Sequence, residues 1–304
     1  MPDDVRADTS PLPSSGLVHL QARAAEWGSL LGPTWAALCG VLASNASPSG
    51  GGDIVKLLFL VLLVDGGWGT IWAALAGTNW SMPIQRWRSW ETEKTTRHLP
   101  YTLPGSIGHQ LSRWAGRLRA WWSAVFWPAC GPAVQAILVG VPLSALLGVV
   151  LGPELLLLST AALALMEMGV LWKGGDGTVP AGWDGLIGVT LPWMAGHATF
   201  GGLTVPSTVF ALVFAVAWGN TWKPTSAGAR TALILSEVSA AVGLVALGRP
   251  LTAGLVLLAL VPQMALLPWA SQDTPASTIL PAARFVRYTR PWLMGIMVVA
   301  ALVL

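Results

Sequence analysis

Long apolar runs constrain this chain more than any other feature. Stretches of about 18 to 20 residues without a charge are what a helix needs to cross a hydrocarbon core. Here predominantly apolar runs of about that length recur along the chain, several of them bounded by turn clusters such as "NASPSGGGD", "KGGDGTVPAG", "GGLTVP" and "GRP". The runs do not alternate apolar with polar residues, as barrel strands would, so a helical bundle is expected. Of 304 residues only 10% are charged and 54% are hydrophobic, well below the charged share of about 25% in soluble domains. The composition is that of an integral membrane protein.

Nine spans are drawn, over residues 27–44, 54–78, 124–151, 153–172, 182–203, 205–222, 229–247, 250–270 and 286–304. The third is the longest and should be kinked by Pro128, Pro132 and Pro142, while Arg287 and Arg290 enter the start of the last. Residues 1–25, "MPDDVRADTSPLPSSG" onward, have no basic segment ahead of a cleavable apolar core and read as a disordered cytoplasmic tail. Residues 26–304 then form a single transmembrane domain with one large loop, 79–123.

Short cytoplasmic loops carry the excess of Lys and Arg. The large loop holds Arg86, Arg88, Lys94, Arg97, Arg113, Arg117 and Arg119 against Glu91 and Glu93, and later loops on that side add Lys223, Arg284, Arg287 and Arg290. Connections on the other side are nearly bare, with Arg249 the main exception. The N-terminus is therefore expected in the cytoplasm, in a multi-pass protein of the inner (cytoplasmic) membrane. Within the loop, "SIGHQLSRWAGRLRAWW" places Ile107, Leu111, Trp114, Leu118 and Trp121 at helical spacing. This is the pattern of an interfacial amphipathic helix, which either docks on the membrane or acts as a lid carrying arginines.

Two loops and the overall plan resemble the UbiA prenyltransferase superfamily. The basic stretch "TTRHLPYTLPGSIGHQ" is similar to that family's first loop through Arg97, Leu99, Pro100 and Gly105, and "LWKGGDGTVPAGWDGLIGVTLPWMAGHATFGG" resembles its entry into helix five, including Pro192 to Gly196. The resemblance implies a nine-helix bundle and two aspartate-rich motifs that hold a prenyl diphosphate through magnesium. Hard cations demand oxygen ligands. At the first motif, "NWSMPIQRW" keeps Asn79 but has Trp80, Pro83 and Trp87 at the aspartate positions; the other register, "VDGGWGTIW", keeps Asp65 but has Val64, Trp68 and Trp72. The second, "WGNTWKPTSAGAR", resembles the chlorophyll synthase form through Asn220 and Lys223 and contains no acid.

The first expectation is thus a diverged UbiA-like pseudoenzyme, a binding or assembly subunit holding a prenyl lipid, quinone or (bacterio)chlorophyll-type pigment. Other membrane subunits are conceivable partners; nucleic acid is not. The alternatives are an active prenyltransferase of isoprenoid or chlorophyll biosynthesis, which would need magnesium and a displaced acid set from Glu91, Glu93 and Asp176, and a small-solute transporter. No metal or other cofactor is expected on the first reading. Ligand candidates are Asp65, Trp68 and Trp72, which share a helix face, with Arg97, Arg113 and His197. Ionisable residues inside spans are costly and often functional, yet Asp65 could equally make an interhelical contact, and Glu167 and Glu237 are expected to do so. His197 is either a pigment ligand or a donor to a carbonyl. Among 18 Trp, Trp27, Trp80, Trp172, Trp222, Trp269 and Trp292 fall near helix ends, as belt residues do; Trp68, Trp72, Trp193 and Trp218 lie deeper.

Overall fold

The computed structural model describes residues 32–46, 48–88, 105–173, 179–221, 226–270 and 280–304. Among these every regular element is helical. In chain order they are α1 (Gly32–Ala43), α2 (Gly51–Gly77), α3 (Ser81–Arg88), α4 (Ile107–Leu151), α5 (Pro153–Leu171), α6 (residues 181–200), α7 (Val205–Asn220), α8 (Ala227–Ala246), α9 (Pro250–Ala270) and α10 (Leu280–Ala301). Four of them, α2, α4, α5 and α8, are long and apolar enough to cross a membrane. Gly32–Ala43, Val205–Asn220 and Pro250–Leu266 are shorter apolar helices. The protein is membrane-embedded and helical, and each segment drawn as a span contains a helix.

Three helices widen into π-turns, at Leu62–Gly69 in α2, Trp122–Phe126 in α4 and Leu186–Thr190 in α6. The second and third each end two residues before a proline, Pro128 and Pro192. A proline ring offers no N–H and crowds the carbonyl four residues earlier; a wider turn moves that carbonyl aside without ending the helix. Pro128 therefore does not separate the amphipathic segment from the third span. The two form one helix of 45 residues. The α2 stretch has no proline; its sequence, LLVDGGWG, supplies three glycines to the wide turn.

Two half-bundles meet on α1 and α6. One packs α2, α4 and α5 around Leu60, Leu63, Trp68, Ile71, Leu147, Leu155 and Met166, and takes Ala37 and Val41 from α1. The other packs α7 to α10 around Phe210, Phe214, Trp218, Leu244, Phe285 and Leu293, and takes Ala36, Cys39 and Ala43 from the opposite side of α1. Between lipid-soluble helices there is no hydrophobic driving force, so close van der Waals approach must hold them. A Cβ at Gly40 would run into the Trp193 carbonyl oxygen, and one at Gly196 into the Ala37 carbonyl oxygen. Only glycine allows this crossing.

Polar groups tie the same helices together. Trp35 Nε1 donates to the Met294 carbonyl (3.0 Å) and Trp193 Nε1 to Ser207 Oγ (2.8 Å). Gln263 Nε2 donates to Glu237 Oε2 (3.1 Å), joining α9 to α8. The Arg290 guanidinium lies 4.6 Å over the Trp218 ring, a desolvated cation–π contact. Glu237 thus makes the interhelical contact expected of it. Glu167 does not: it is exposed on α5, a correction that follows from its place on the outward face of that helix. Large apolar side chains such as Leu138, Leu157, Val209 and Leu258 also point outward, where acyl chains would replace water.

Gly196→Val is expected to break the α1–α6 crossing, lowering stability by about 3 kcal/mol or preventing assembly, because overpacking against backbone has no side chain to yield. Gly52→Ala, with nothing within 4 Å of the added carbon, is the control. Monodispersity in detergent and thermal unfolding of the two variants provide the measurement; equal behaviour would contradict the crossing.

Candidate functional site at the end of helix α2

A helix leaves its last four carbonyls without intrahelical partners. At the end of α2 these groups are taken up from elsewhere. Lys173, two residues beyond α5, donates from Nζ to the carbonyls of Leu75 (3.0 Å), Ala76 (2.9 Å) and Thr78 (2.9 Å). Trp80 Nε1 adds a bond to the Leu75 carbonyl at 3.2 Å. A cation here also complements the negative end of the helix dipole. Partial burial pulls the Lys173 pKa below its ordinary value.

The chain then turns. Asn79 Oδ1 accepts from Ser81 Oγ (2.7 Å) and the Met82 N–H (3.3 Å), which starts α3 in the manner of an Asx cap. Helix α3 is clamped to α4. Trp121 Nε1 donates to the Pro83 carbonyl at 3.0 Å, Arg117 Nη2 to the Trp87 carbonyl at 2.9 Å, and the Arg117 guanidinium lies 4.6 Å over the Trp87 ring. Trp87 and Trp121 meet edge to face at 5.3 Å. One turn before the end of α2, Trp72 Nε1 donates to Asp184 Oδ1 at 3.1 Å, across to the start of α6, where Trp183 packs edge-on against Trp172.

Beside this junction lies an open cleft of about 340 Å³, lined by Leu75, Trp80, Val134, Ile137, Leu138 and Val170 from α2, α4, α5 and the turn after α2. Its walls carry no polar surface. A larger apolar groove of about 700 Å³ runs between α9 and α10, past Pro262, Pro291, Trp292 and Gly295. Both volumes fall in the range of small-molecule sites, about 300–1,000 Å³.

Asn79, Trp80, Pro83 and Trp87 are brought together here, each engaged in the contacts above. As a magnesium–diphosphate site they do not fit. The Asn79 oxygen is occupied by Ser81 and Met82, and indole and pyrrolidine rings offer no oxygen ligand. Among the described residues no three His, Cys, Asp or Glu side chains group as metal ligands. The other candidates lie elsewhere. Asp65 is buried within the α2 π-turn, Trp68 is 1% exposed in the α2 half-bundle core, and His197 is buried where α6 crosses α1. Asn220 Nδ2 turns back to the Val216 carbonyl at 2.8 Å. Arg113 is exposed on α4. Arg97, Lys223, Glu91, Glu93 and Asp176 lie outside the described residues.

Lys173, Arg117, Trp121 and Asp184 were not legible as site residues. Their partners are distant in sequence, and a lone lysine after an apolar run reads as an ordinary snorkelling end. Compared with models of known families, with curated proteins and with solved structures, the chain matches none.

Lys173→Met should cost about 2 kcal/mol, since partly buried carbonyls lose a charged donor, while Lys173→Arg should recover part of the loss. The pH dependence has a definite sign. With the folded pKa lowered, the unfolded chain binds this proton more tightly, so stability rises as pH climbs from the folded value towards the ordinary lysine value. Thermal unfolding of wild type and Lys173→Met across the alkaline range should show that rise only in the wild type.

Proposed function

We propose that this chain is a UbiA-like, nine-span inner-membrane protein, N-terminus in the cytoplasm, that holds a prenyl lipid, quinone or (bacterio)chlorophyll-type pigment as a binding or assembly subunit. Magnesium-dependent prenyl transfer is not part of this reading. The observation that carries it is the apolar cleft beside Trp80, which opens where the resembling family keeps its first metal motif, with Asn79, Trp80, Pro83 and Trp87 committed to holding α2, α3 and α4 together. An isoprenoid chain suits such walls because it asks for area and no hydrogen bonds.

Filling the cleft tests this. Leu138→Trp, together with Val134→Phe as a second variant, should reduce co-purifying isoprenoid or pigment several-fold in lipid extracts and absorbance spectra, with thermal stability unchanged. Unaltered ligand content in both variants counts against the cleft. Geranylgeranyl diphosphate with magnesium should leave the melting temperature unchanged, whereas stabilisation or released pyrophosphate would favour a transferase that uses Glu91, Glu93 and Asp176.

A second reading, a small-solute transporter, draws on the wide π-turns in α2 and α6. Such departures gather at functional sites, and one of these carries the buried Asp65. Solute flux into liposomes abolished by Asp65→Asn would support it. The orientation has its own test. Single cysteines at Thr92 and Ser277 should label from the cytoplasmic side and one at Pro48 from the other, and finding Thr92 and Pro48 on the same side would end the nine-span, N-inside arrangement.

A further inference from the structure

The first four turns of α4 carry an apolar stripe that the rest of the described fold leaves uncovered. Ile107, Leu111 and Trp114 recur at helical spacing and are 77%, 61% and 57% exposed. Arg113 and Arg119, both exposed, flank the stripe on opposite sides of the helix, at angles set by 3.6 residues per turn. No Asp or Glu occurs in Ser81–Arg88 or between Gly105 and Phe126. In the last turn of this segment Arg117 and Trp121 hold α3.

Length decides where the segment can lie. A helix of 45 residues is about 68 Å long at 1.5 Å per residue, and the hydrocarbon core is about 30 Å thick. Residues 127–151 suffice to cross it. The boundary falls at Trp121, Trp122, Phe126 and Trp127, a stacked aromatic group of the kind that sits at headgroup level. It coincides with the π-turn Trp122–Phe126 and Pro128, where a helix bends most readily.

We propose that residues 107–121 are a docking surface for the anionic headgroups of the adjoining leaflet. The helix turns at Trp122–Pro128 and lies in the interface, with Ile107, Leu111 and Trp114 sunk to the acyl boundary and Arg113 and Arg119 reaching phosphates on either flank. Arg117 takes no part, being committed to Trp87. This surface is separate from the cleft and stands whether or not the cleft binds a ligand.

The test uses full-length protein in nanodiscs of phosphatidylcholine alone, or of equal parts phosphatidylcholine and phosphatidylglycerol, with spin labels on single cysteines at Leu111, Trp114 and Ser112. In anionic discs the labels at 111 and 114 should be reached by oxygen and shielded from a water-soluble relaxant, with 112 the reverse. In phosphatidylcholine alone the docked fraction should fall. R113Q and R119Q should each lower the docked-to-undocked ratio in anionic discs by roughly fivefold, and R113K/R119K should retain it. Labels at 111 and 114 that stay open to water in anionic discs overturn the proposal. So does shielding from both reagents in either lipid, which would mark a protein cover.

Discussion

Everything in this fold hangs on the backbone contact between α1 and α6. Within a membrane, a helix gains nothing from leaving lipid for another apolar surface, so two helices stay together only where their shapes meet closely. Gly40 and Gly196 remove the side chains that would hold the axes apart, and each backbone rests on a carbonyl of the other helix. Because α1 gives Ala37 and Val41 to one half-bundle and Ala36, Cys39 and Ala43 to the other, it is the shared wall of both. The π-turns of α2 and α6 each contact α1, which places two of the three wide turns against the same short helix. Bends of this kind let a long helix follow a neighbour whose surface is set by backbone.

Much of this was readable from the sequence because apolar length and turn clusters mark helices in a membrane. The limits of α5, α7, α8 and α9 fall within a few residues of the spans drawn. Reading failed where a tertiary partner decides the conformation. Ser81–Arg88 looked like loop, with Pro83 near its start and a polar composition, and it is helical in the company of Arg117 and Trp121. The third span was drawn from residue 124 with Pro128 as a kink inside it, and the helix instead runs unbroken from Ile107 to Leu151, with a π-turn just before that proline. Of the four tryptophans read as lying deeper, Trp68, Trp193 and Trp218 are buried and Trp72 is partly buried. The indole bonds of Trp72 to Asp184 and Trp80 to Leu75 were not legible, since no spacing rule links residues 112 apart or anticipates a cap taken from a neighbouring turn. Arg97 and Lys223, central to the family resemblance, lie outside the described residues.

The bias towards tryptophan over phenylalanine and tyrosine has a physical reading in these contacts. An indole fills as much space as two smaller side chains and brings a single N–H donor. In a bundle held by van der Waals contact, one directed bond per large ring fixes register where packing alone is permissive. Trp35, Trp72, Trp121 and Trp193 each spend that donor on a different helix. Trp218 and Trp87 use the ring face instead, each under a guanidinium, an attraction that offsets part of the cost of desolvating an arginine. The Trp87–Arg117 pair therefore helps hold α3 to α4 at this end of the bundle.

That assignment bears on what the neighbouring cleft could hold. An ammonium has three N–H donors, and those of Lys173 are matched by three carbonyls. The Trp80 indole is likewise spent on Leu75. The rim is thereby stiffened, and its donors are turned towards the protein. In the proposed reading a ligand entering beside Leu138 and Val170 meets apolar walls and a half-buried indole ring, with no free hydrogen-bond donor among these groups to receive a phosphate. Selection there would rest on shape and apolar area, which favours a neutral ring or polyene over a diphosphate, because an anion brought to such a wall would lose its hydration without an exchange of bonds.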